Sequence, residues 1–436
     1  MKRLRLPAEE IEVREELDLL VIGGGSAGVA AAVTGARAGL RTALVEEMPF
    51  LGGMSTGGCV GTFCGFYYRD RGEELLPLVG GLPLEIADSL RERGHAYGPI
   101  PFKDSAVLPY VPWGVKLLLE ELVRREPLLR VRLHAKLTHA VVEDGRIRGV
   151  AVQTRSGRVA IQARVVVDAT GDADLSRRCG VATQVGEAIQ YPSMMFTMQN
   201  VDLPKVFANL TKLPELIEER FDSDNLPRRG GNVIPTGRHG EVLVAMSRLA
   251  LHDRPIDGSN EEELTYGEME GRVQATRLAE FLKQHMPGFD EAFLSDNAPR
   301  LGIRETRKIV GEYSLTESDV LAAKRFDDGI GRAAWPVERH VRGGETVWKF
   351  LDTGTWYTIP YRCLVPRGVD NLLVAGRCLS AEPDAFASVR VIGPCMLAGQ
   401  AAGTAARIIR ENDVAALDID VDRLRADLVA LGAPVS

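Results

Sequence analysis

The first patterned stretch of the chain is a short, wholly apolar run, DLLVI at Asp18–Ile22, followed directly by glycines. Such a run predicts a strand buried on both faces, as in a parallel sheet. A helix of small residues, VAAAVTGARAG, then ends at Gly39, and RTALVE at Arg41–Glu46 predicts the next strand. The three elements form a βαβ unit of about thirty residues. Residues 52–66, GGMSTGGCVGTFCGF, are too glycine-rich for a regular element and are expected to form a loop passing close to a ligand. Helical spacing of apolar residues predicts a helix over Val115–Arg125. Residues 130–167 then alternate as short strands, beginning with RVRLHAKL, with hairpin signals at Asp144-Gly145 and Ser156-Gly157; they predict a three-stranded meander attached to the parallel sheet. From about 185 to 355 strands and helices mix, loops are rich in Pro and Gly, and a helix with a Glu-rich start is predicted over Glu261–His285, ending before Pro287. Parallel-sheet patterning returns with DNLLVAG and the small-residue helix GPCMLAGQAAGTAARII.

Composition narrows this picture. The 436 residues allow one large domain or two interleaved ones, and 45% hydrophobic with 26% charged residues describes a globular chain with a sizeable core. A net charge of -7 argues against nucleic-acid binding through a broad basic surface, while leaving room for a local basic pocket. No apolar stretch follows the basic opening MKRLR, and no run of about eighteen apolar residues occurs, so neither a signal peptide nor a membrane span is expected and the expected location is cytoplasmic. Cys59, Cys64, Cys179, Cys363, Cys378 and Cys395 include no CxxC pair and the histidines are scattered; free thiols and no metal site are expected. A homo-oligomer stays open.

The chemistry begins at Gly23, Gly25 and Gly28, a GxGxxG pattern. The first glycine turns the chain sharply out of the strand, the second lets a pyrophosphate approach the backbone, and the third lets the helix pack closely on the sheet. The N–H groups of the first helical turn, around Ser26 and Ala27, then face the phosphates. About twenty residues on, Glu46 ends the next strand, where a carboxylate can accept ribose hydroxyls; Glu47 can share that role but should point to the opposite face. In the glycine-rich loop, Gly52, Gly53, Met54 and Ser55 are candidates to line the same ligand.

Several segments together carry a resemblance: DLLVIGGGSAGVAAAVTGARAGLRTALVEE, LGGMST, RVVVDATGDADLSRRCG, LGIRETRKIVGEY, and YTIPYRCLVPRGVDNLLVAGRCLSA with SVRVIGPCMLAGQAAGTAA. They span residues from about 18 to 410, and the chain resembles the FAD-dependent oxidoreductase family of the glutathione-reductase-like flavoproteins. The resemblance implies an α/β fold. A Rossmann-like FAD-binding domain (a parallel sheet with a β-meander) would occupy residues 1–184 and 355–436, and a mixed α/β substrate or cap domain would be inserted at 185–354. It implies FAD, with the adenine near Leu137. Ala169-Thr170-Gly171 and Gly376-Arg377 end strands at the same sheet edge, and the helix carrying Pro394 and Met396 would face the flavin with its N-terminus. A single GxGxxG implies no separate nicotinamide-binding domain, so electrons are expected to come from the organic substrate or to enter by another route. No histidine lies in the flavin-facing motifs, so the FAD is expected to be noncovalent.

The substrate side rests on three arginines. Arg390 in SVRV and Arg304 and Arg307 in GIRETR suit bidentate recognition of an anionic small-molecule substrate; the alternative for Arg304 and Arg307 is ordinary pairing with Glu305, Glu312 or other carboxylates at the domain junction. Tyr357 and Tyr361 are candidate pocket residues. Relatives of the resembled family often carry a histidine after the GRCLSA stretch; here EPDAFA stands instead, leaving Glu382 or Asp384 as acid/base candidates or plain loop carboxylates. The expected reaction is hydride transfer between a small, possibly anionic substrate and flavin N5. Two alternatives remain: a flavin-linked dithiol/disulfide exchange at Cys59 and Cys64, and a structural FAD in a partner-binding or RNA-modification subunit.

Overall fold

The computed structural model describes residues 9–186, 189–341 and 346–436; the basic opening residues 1–8 lie outside the described residues. The strand predicted at Asp18–Ile22 is longer, Val13–Ile22, because its polar first half pairs beyond the apolar run. It lies parallel between Thr42–Val45 and Gly157–Asp168. Leu372–Val374 pairs parallel with Val166–Asp168. The four strands end in step: Ile22 is opposite both Val45 and Asp168, and Asp168 is opposite Val374. A doubly wound sheet binds its ligands at such a carboxyl edge.

The meander differs from expectation at its start. Leu129–Arg132, read as its first strand, runs parallel beside Thr42–Val45. The helix Pro112–Arg125 precedes it and acts as a crossover, which delivers a parallel strand, and alternation alone does not reveal a strand's partner. The true meander strands are Lys136–Glu143, Arg146–Thr154 and Gly157–Asp168. Asp144 and Gly145 both take positive φ (49° and 72°), as a tight hairpin requires. Gly157–Asp168 belongs to both systems: its first residues pair with the hairpin and its last with Leu372–Val374. Buried Asn371 closes the gap, accepting from the Ile147 amide (2.8 Å) and donating to the Ile147 and Arg164 carbonyls.

The glycine-rich stretch is more regular than its composition predicts. Gly53–Ser55 forms a 3-10 turn, and Thr62–Arg69 is a strand of a separate four-stranded antiparallel sheet. The buried rings of Phe63 and Phe66, stacked at 5.0 Å, outweigh the cost of the glycines. Gly65, at φ +74°, sits where the register slips between Cys64 and Tyr67.

The largest core draws on both ends of the chain and also takes Ile309, Ile330 and Val337 from the segment expected as an insert. A second core, including Phe196, Val244, Leu278 and Leu282, joins the helix Glu261–His285 to a four-stranded sheet. Helices Ser26–Arg37 and Ile392–Asn412 meet backbone to backbone: a Cβ on Gly399 would lie 2.1 Å from the Ala27 carbonyl oxygen, and one on Gly403 2.4 Å from that of Ala31. The small residues in both helices serve this contact. Among the described residues no single helix is long and apolar enough to cross a membrane. Pro383–Val389 and Ile392–Asn412 pass such a test only jointly; they are bent by 87° and mostly buried in the core.

Candidate functional site

Because the strands end together, the loops after Ile22, Val45, Asp168 and Val374 converge on one open cleft of about 1050 Å³. That space includes the open solvent at the mouth of the cleft. Gly23, Gly25, Ser26 and Ala27 line it from the first loop, Glu46 and Glu47 from the second, and Gly53 and Met54 from the 3-10 turn. Leu137, Ala169, Thr170 and Gly171 line it from the meander side, and Gly376, Arg377 and Arg390 from the last third of the chain. Glu47 does not turn away as strand alternation predicts, because the strand ends at Val45.

The other expected residues serve the cleft indirectly. A Cβ on Gly28 would sit 1.8 Å from the Gly23 carbonyl oxygen, which is the close packing the third glycine permits. Gly52, at φ +106°, donates its amide to the Gly24 carbonyl at 2.8 Å. Ser55 is buried with its hydroxyl 2.8 Å from that of Ser26. Pro394 and Met396 face the core; the helix begins at Ile392, so Ile392 and Cys395, one turn apart, are the residues that reach the cleft.

Polar contacts shape these loops. Glu46 accepts from the amides of Gly24 (2.6 Å) and Met48 (2.8 Å), so it braces the glycine loop while lining the cleft. Burial pushes its carboxyl up, against the pull of those two amides. Fully buried Asp168 holds the third loop, accepting from the Thr170 and Ser176 amides and hydroxyls at 2.7–3.1 Å. Gly171, at φ +81°, makes room for Arg377, whose Nη2 a Cβ there would meet at 2.7 Å. Arg300, which no sequence signal marks, reaches the cleft from the middle segment and packs on Gly57, where a Cβ would lie 3.0 Å from its Cδ.

The three arginines separate. Arg307 donates to Asp174 (2.6 Å) and to the Asp172 carbonyl (3.0 Å); it ties down the loop after Asp168 and so takes the ordinary pairing with a carboxylate, one other than Glu305 and Glu312. Glu305 instead pairs with Lys308, both fully buried. Arg304 is buried behind the cleft, donating to the Tyr191 carbonyl (2.7 Å) and the Ser193 hydroxyl (2.8 Å). Burial and the charges of Arg390 and Arg228 hold it well below the ordinary guanidinium range. Arg390 lines the cleft and is 3.8 Å from Glu338. Burial would raise the Glu338 carboxyl, but the His340 hydrogen bond and the charges of Arg390 and Arg304 hold it at about 2. Burial and Arg304 push buried His340 well below its ordinary value, so it is neutral at neutral pH, with Nε2 3.2 Å from Glu338.

The family described as FAD dependent oxidoreductase matches residues 18–428. The chain belongs to that family. Its cofactor is FAD, and it is an enzyme. It is also similar to digeranylgeranylglycerophospholipid reductase of Methanosphaerula palustris, 28% identical over 183 residues, which are 40% of this chain and 43% of that protein. The chain thus matches less than half the length of this curated relative. Among solved structures, a geranylgeranyl bacteriochlorophyll reductase-like protein of Thermoplasma acidophilum is 14% identical (96% of this chain, 83% of that one, TM-score 0.46). The flavin-dependent brominase Bmp2 is 12% identical (95% and 83%, TM-score 0.47).

The cleft fits FAD on its own geometry. No side chain caps the helix Ser26–Arg37, so its first N–H groups are left for an anion. A Cβ on Gly53 would lie 2.8 Å from the Gly25 Cα, so a glycine at 53 is what lets these two loops approach. Buried Arg377 Nη1 has no partner and waits for an acceptor.

The remaining candidates take structural positions. Asp384 is ion-paired to Arg339 and Lys349 at 2.6 Å each, on a helix, Pro383–Val389, where a loop was expected. Glu382 is the residue before that helix. Tyr357 and Tyr361 are fully buried core residues with satisfied hydroxyls, bonded to Ser388 (2.8 Å) and to the Ala416 carbonyl (2.7 Å). Neither Cys59 nor Cys64 lines the cleft, and burial pushes their thiols up to about 11 and about 12. A thiol so shifted carries almost no thiolate at neutral pH, the form that exchange requires.

Proposed function

We propose that this FAD-dependent oxidoreductase transfers a hydride between a small, anionic organic substrate and noncovalently bound FAD, in the cytoplasm. One observation carries the reading: a single cleft is lined both by the glycine loop and by Arg390, with Ile392 and Cys395 at the start of a long helix between them and the core. When bound, the flavin supplies the redox chemistry. The chain supplies position. The amides of the first helical turn take the pyrophosphate, Glu46 and Glu47 the ribose hydroxyls, Leu137 the adenine side, and Arg300 and Arg377 neutralise charge in the cleft. The helix Ile392–Asn412 has no acidic residue in its first turn, and its positive end favours negative charge developing on the ring. The name of the matched reductase supports the redox class.

Anaerobic addition of metabolites should bleach the flavin absorbance band with at least one organic acid, and the product should carry two hydrogens fewer. A flavin that no small donor reduces would overturn the reading in favour of a structural FAD. Acid precipitation should leave the yellow colour in solution; colour in the pellet would contradict noncovalent binding.

A further inference from the structure

Behind Arg390 lies a group of buried cations that the cofactor site does not explain. Among the described residues, neither Arg228 nor Arg304 has a carboxylate within ion-pair distance, and Arg390 has only Glu338 at 3.8 Å. Glu338 is already engaged by His340 and by Trp335 Nε1 (3.1 Å). Among the described residues Arg228 hydrogen-bonds the Thr346 hydroxyl alone, at 3.5 Å, and its Nε has no partner. Arg390 Nε is likewise unpartnered, while its Nη2 is placed by Gln190 Oε1 at 3.2 Å. Gln190 is itself 2% exposed, and its Nε2, a good donor, is unused.

Three mostly covered guanidinium groups against, among the described residues, one carboxylate leave an uncompensated positive charge, which is costly away from solvent unless an anion completes it. The unpaired groups are all donors, so the missing partner is an acceptor. Arg390 opens the group to the cleft, so the partner can enter from there. We propose that Arg228, Arg304, Arg390 and Gln190 seat a carboxylate of the substrate, which makes the substrate class an organic acid. The inference rests on the oxidoreductase reading above. Planar forks of donors match the two oxygens of a carboxylate. Ser193 and the Tyr191 carbonyl, by fixing Arg304, act as positioning groups for that seat.

The test uses the full-length, FAD-loaded protein, titrated with acetate, succinate, inorganic phosphate, acetamide and succinamide. Two readouts serve: the flavin difference spectrum and the melting midpoint. Carboxylates should give saturable changes in both, and the amides none. Arg228→Gln and Arg304→Gln should each raise the carboxylate Kd at least tenfold with the flavin content unchanged; if Arg304→Gln does not fold, Arg228→Gln decides. Amides binding as well as carboxylates, phosphate binding in place of them, no binding at all, or an unchanged Kd in Arg228→Gln would each overturn the seat. Carboxylate binding without any metabolite that bleaches the flavin leaves the seat standing and removes the hydride-transfer reading. Bleaching by a neutral metabolite, with no carboxylate binding, does the reverse.

Discussion

At the sheet edge the loop Gly23–Gly28 offers a ligand bare backbone: no side chain caps the helix, and Gly25 and Gly53 approach each other through their Cα atoms. Deeper in, the arginine group offers the opposite, long charged side chains held under cover by one or two hydrogen bonds each. The first wall excludes side chains and so recognises a shape shared by every dinucleotide. The second uses them and so selects a charge. A protein built this way can keep its cofactor while its substrate changes, because the two walls come from different residues and different physics.

The comparison breaks first at the glycines. Gly28→Val puts a side chain into the Gly23 carbonyl and should cost more than about 3 kcal/mol, leaving little folded protein. Gly25→Val has open space in the protein alone, where the nearest atom to a Cβ is 3.8 Å away. It should keep the apoprotein melting midpoint and lose the flavin; a yellow Gly25→Val protein would sink the backbone-cradle account.

On the charged wall, Glu338→Gln should destabilise by on the order of 3 kcal/mol at neutral pH, read from urea unfolding. The Glu338 carboxyl is held at about 2, below its ordinary 4.5. Its contribution is therefore complete above pH 4.5 and is lost as the pH falls toward 2, so the gap to Glu338→Gln should close over that window. A gap independent of pH would mean that the carboxylate's charge is not what stabilises the arginines.

Smaller effects sharpen the boundary of the site. Asp384→Asn should lower stability by less than about 1 kcal/mol, since Lys349 is 40% exposed, and leave turnover unchanged once a substrate is in hand. A loss of kcat with its pH profile would restore Asp384 as an acid/base. Cys59→Ser with Cys64→Ser should leave flavin reduction unchanged, and the unsubstituted protein should show the same number of titratable thiols before and after reduction; two thiols appearing on reduction would revive the exchange reading.

What could be read in the sequence follows the same division. The glycine loop, Glu46 and the strand-to-helix turns at Ala169 and Gly376 are local, so spacing along the chain mirrors spacing in space. The strand Thr62–Arg69 was hidden because glycine content argues for a loop and only packing of Phe63 against Phe66 and Tyr110 reverses that. Pro394 and Met396 looked flavin-facing, but helix phase turns Ile392 and Cys395 to the cleft, and phase depends on where the helix starts. Arg300, Arg228 and Gln190 carried no signal, since each is remote in sequence from the groups it meets; Glu338 bonds its neighbours Trp335 and His340, but the arginines it faces are remote. Of the three arginines singled out, Arg307 shows how an identical side chain three residues from Arg304 can serve only to hold a loop.

The strand Gly157–Asp168 has one further consequence, in the order of synthesis. Its inner edge is closed only when Leu372–Val374 arrives, and the helix Ser26–Arg37 lacks its largest contact until Ile392–Asn412 is made. At about 5–20 residues per second, roughly ten to forty seconds of translation separate Asp168 from its late partner. During that interval the first βαβ unit stands with an open sheet edge and a partly uncovered alanine-rich helix. The cofactor cleft comes into being only once Arg390, Ile392 and Cys395 have been made, so FAD loading follows them, and a chain released before Leu372 cannot complete its sheet.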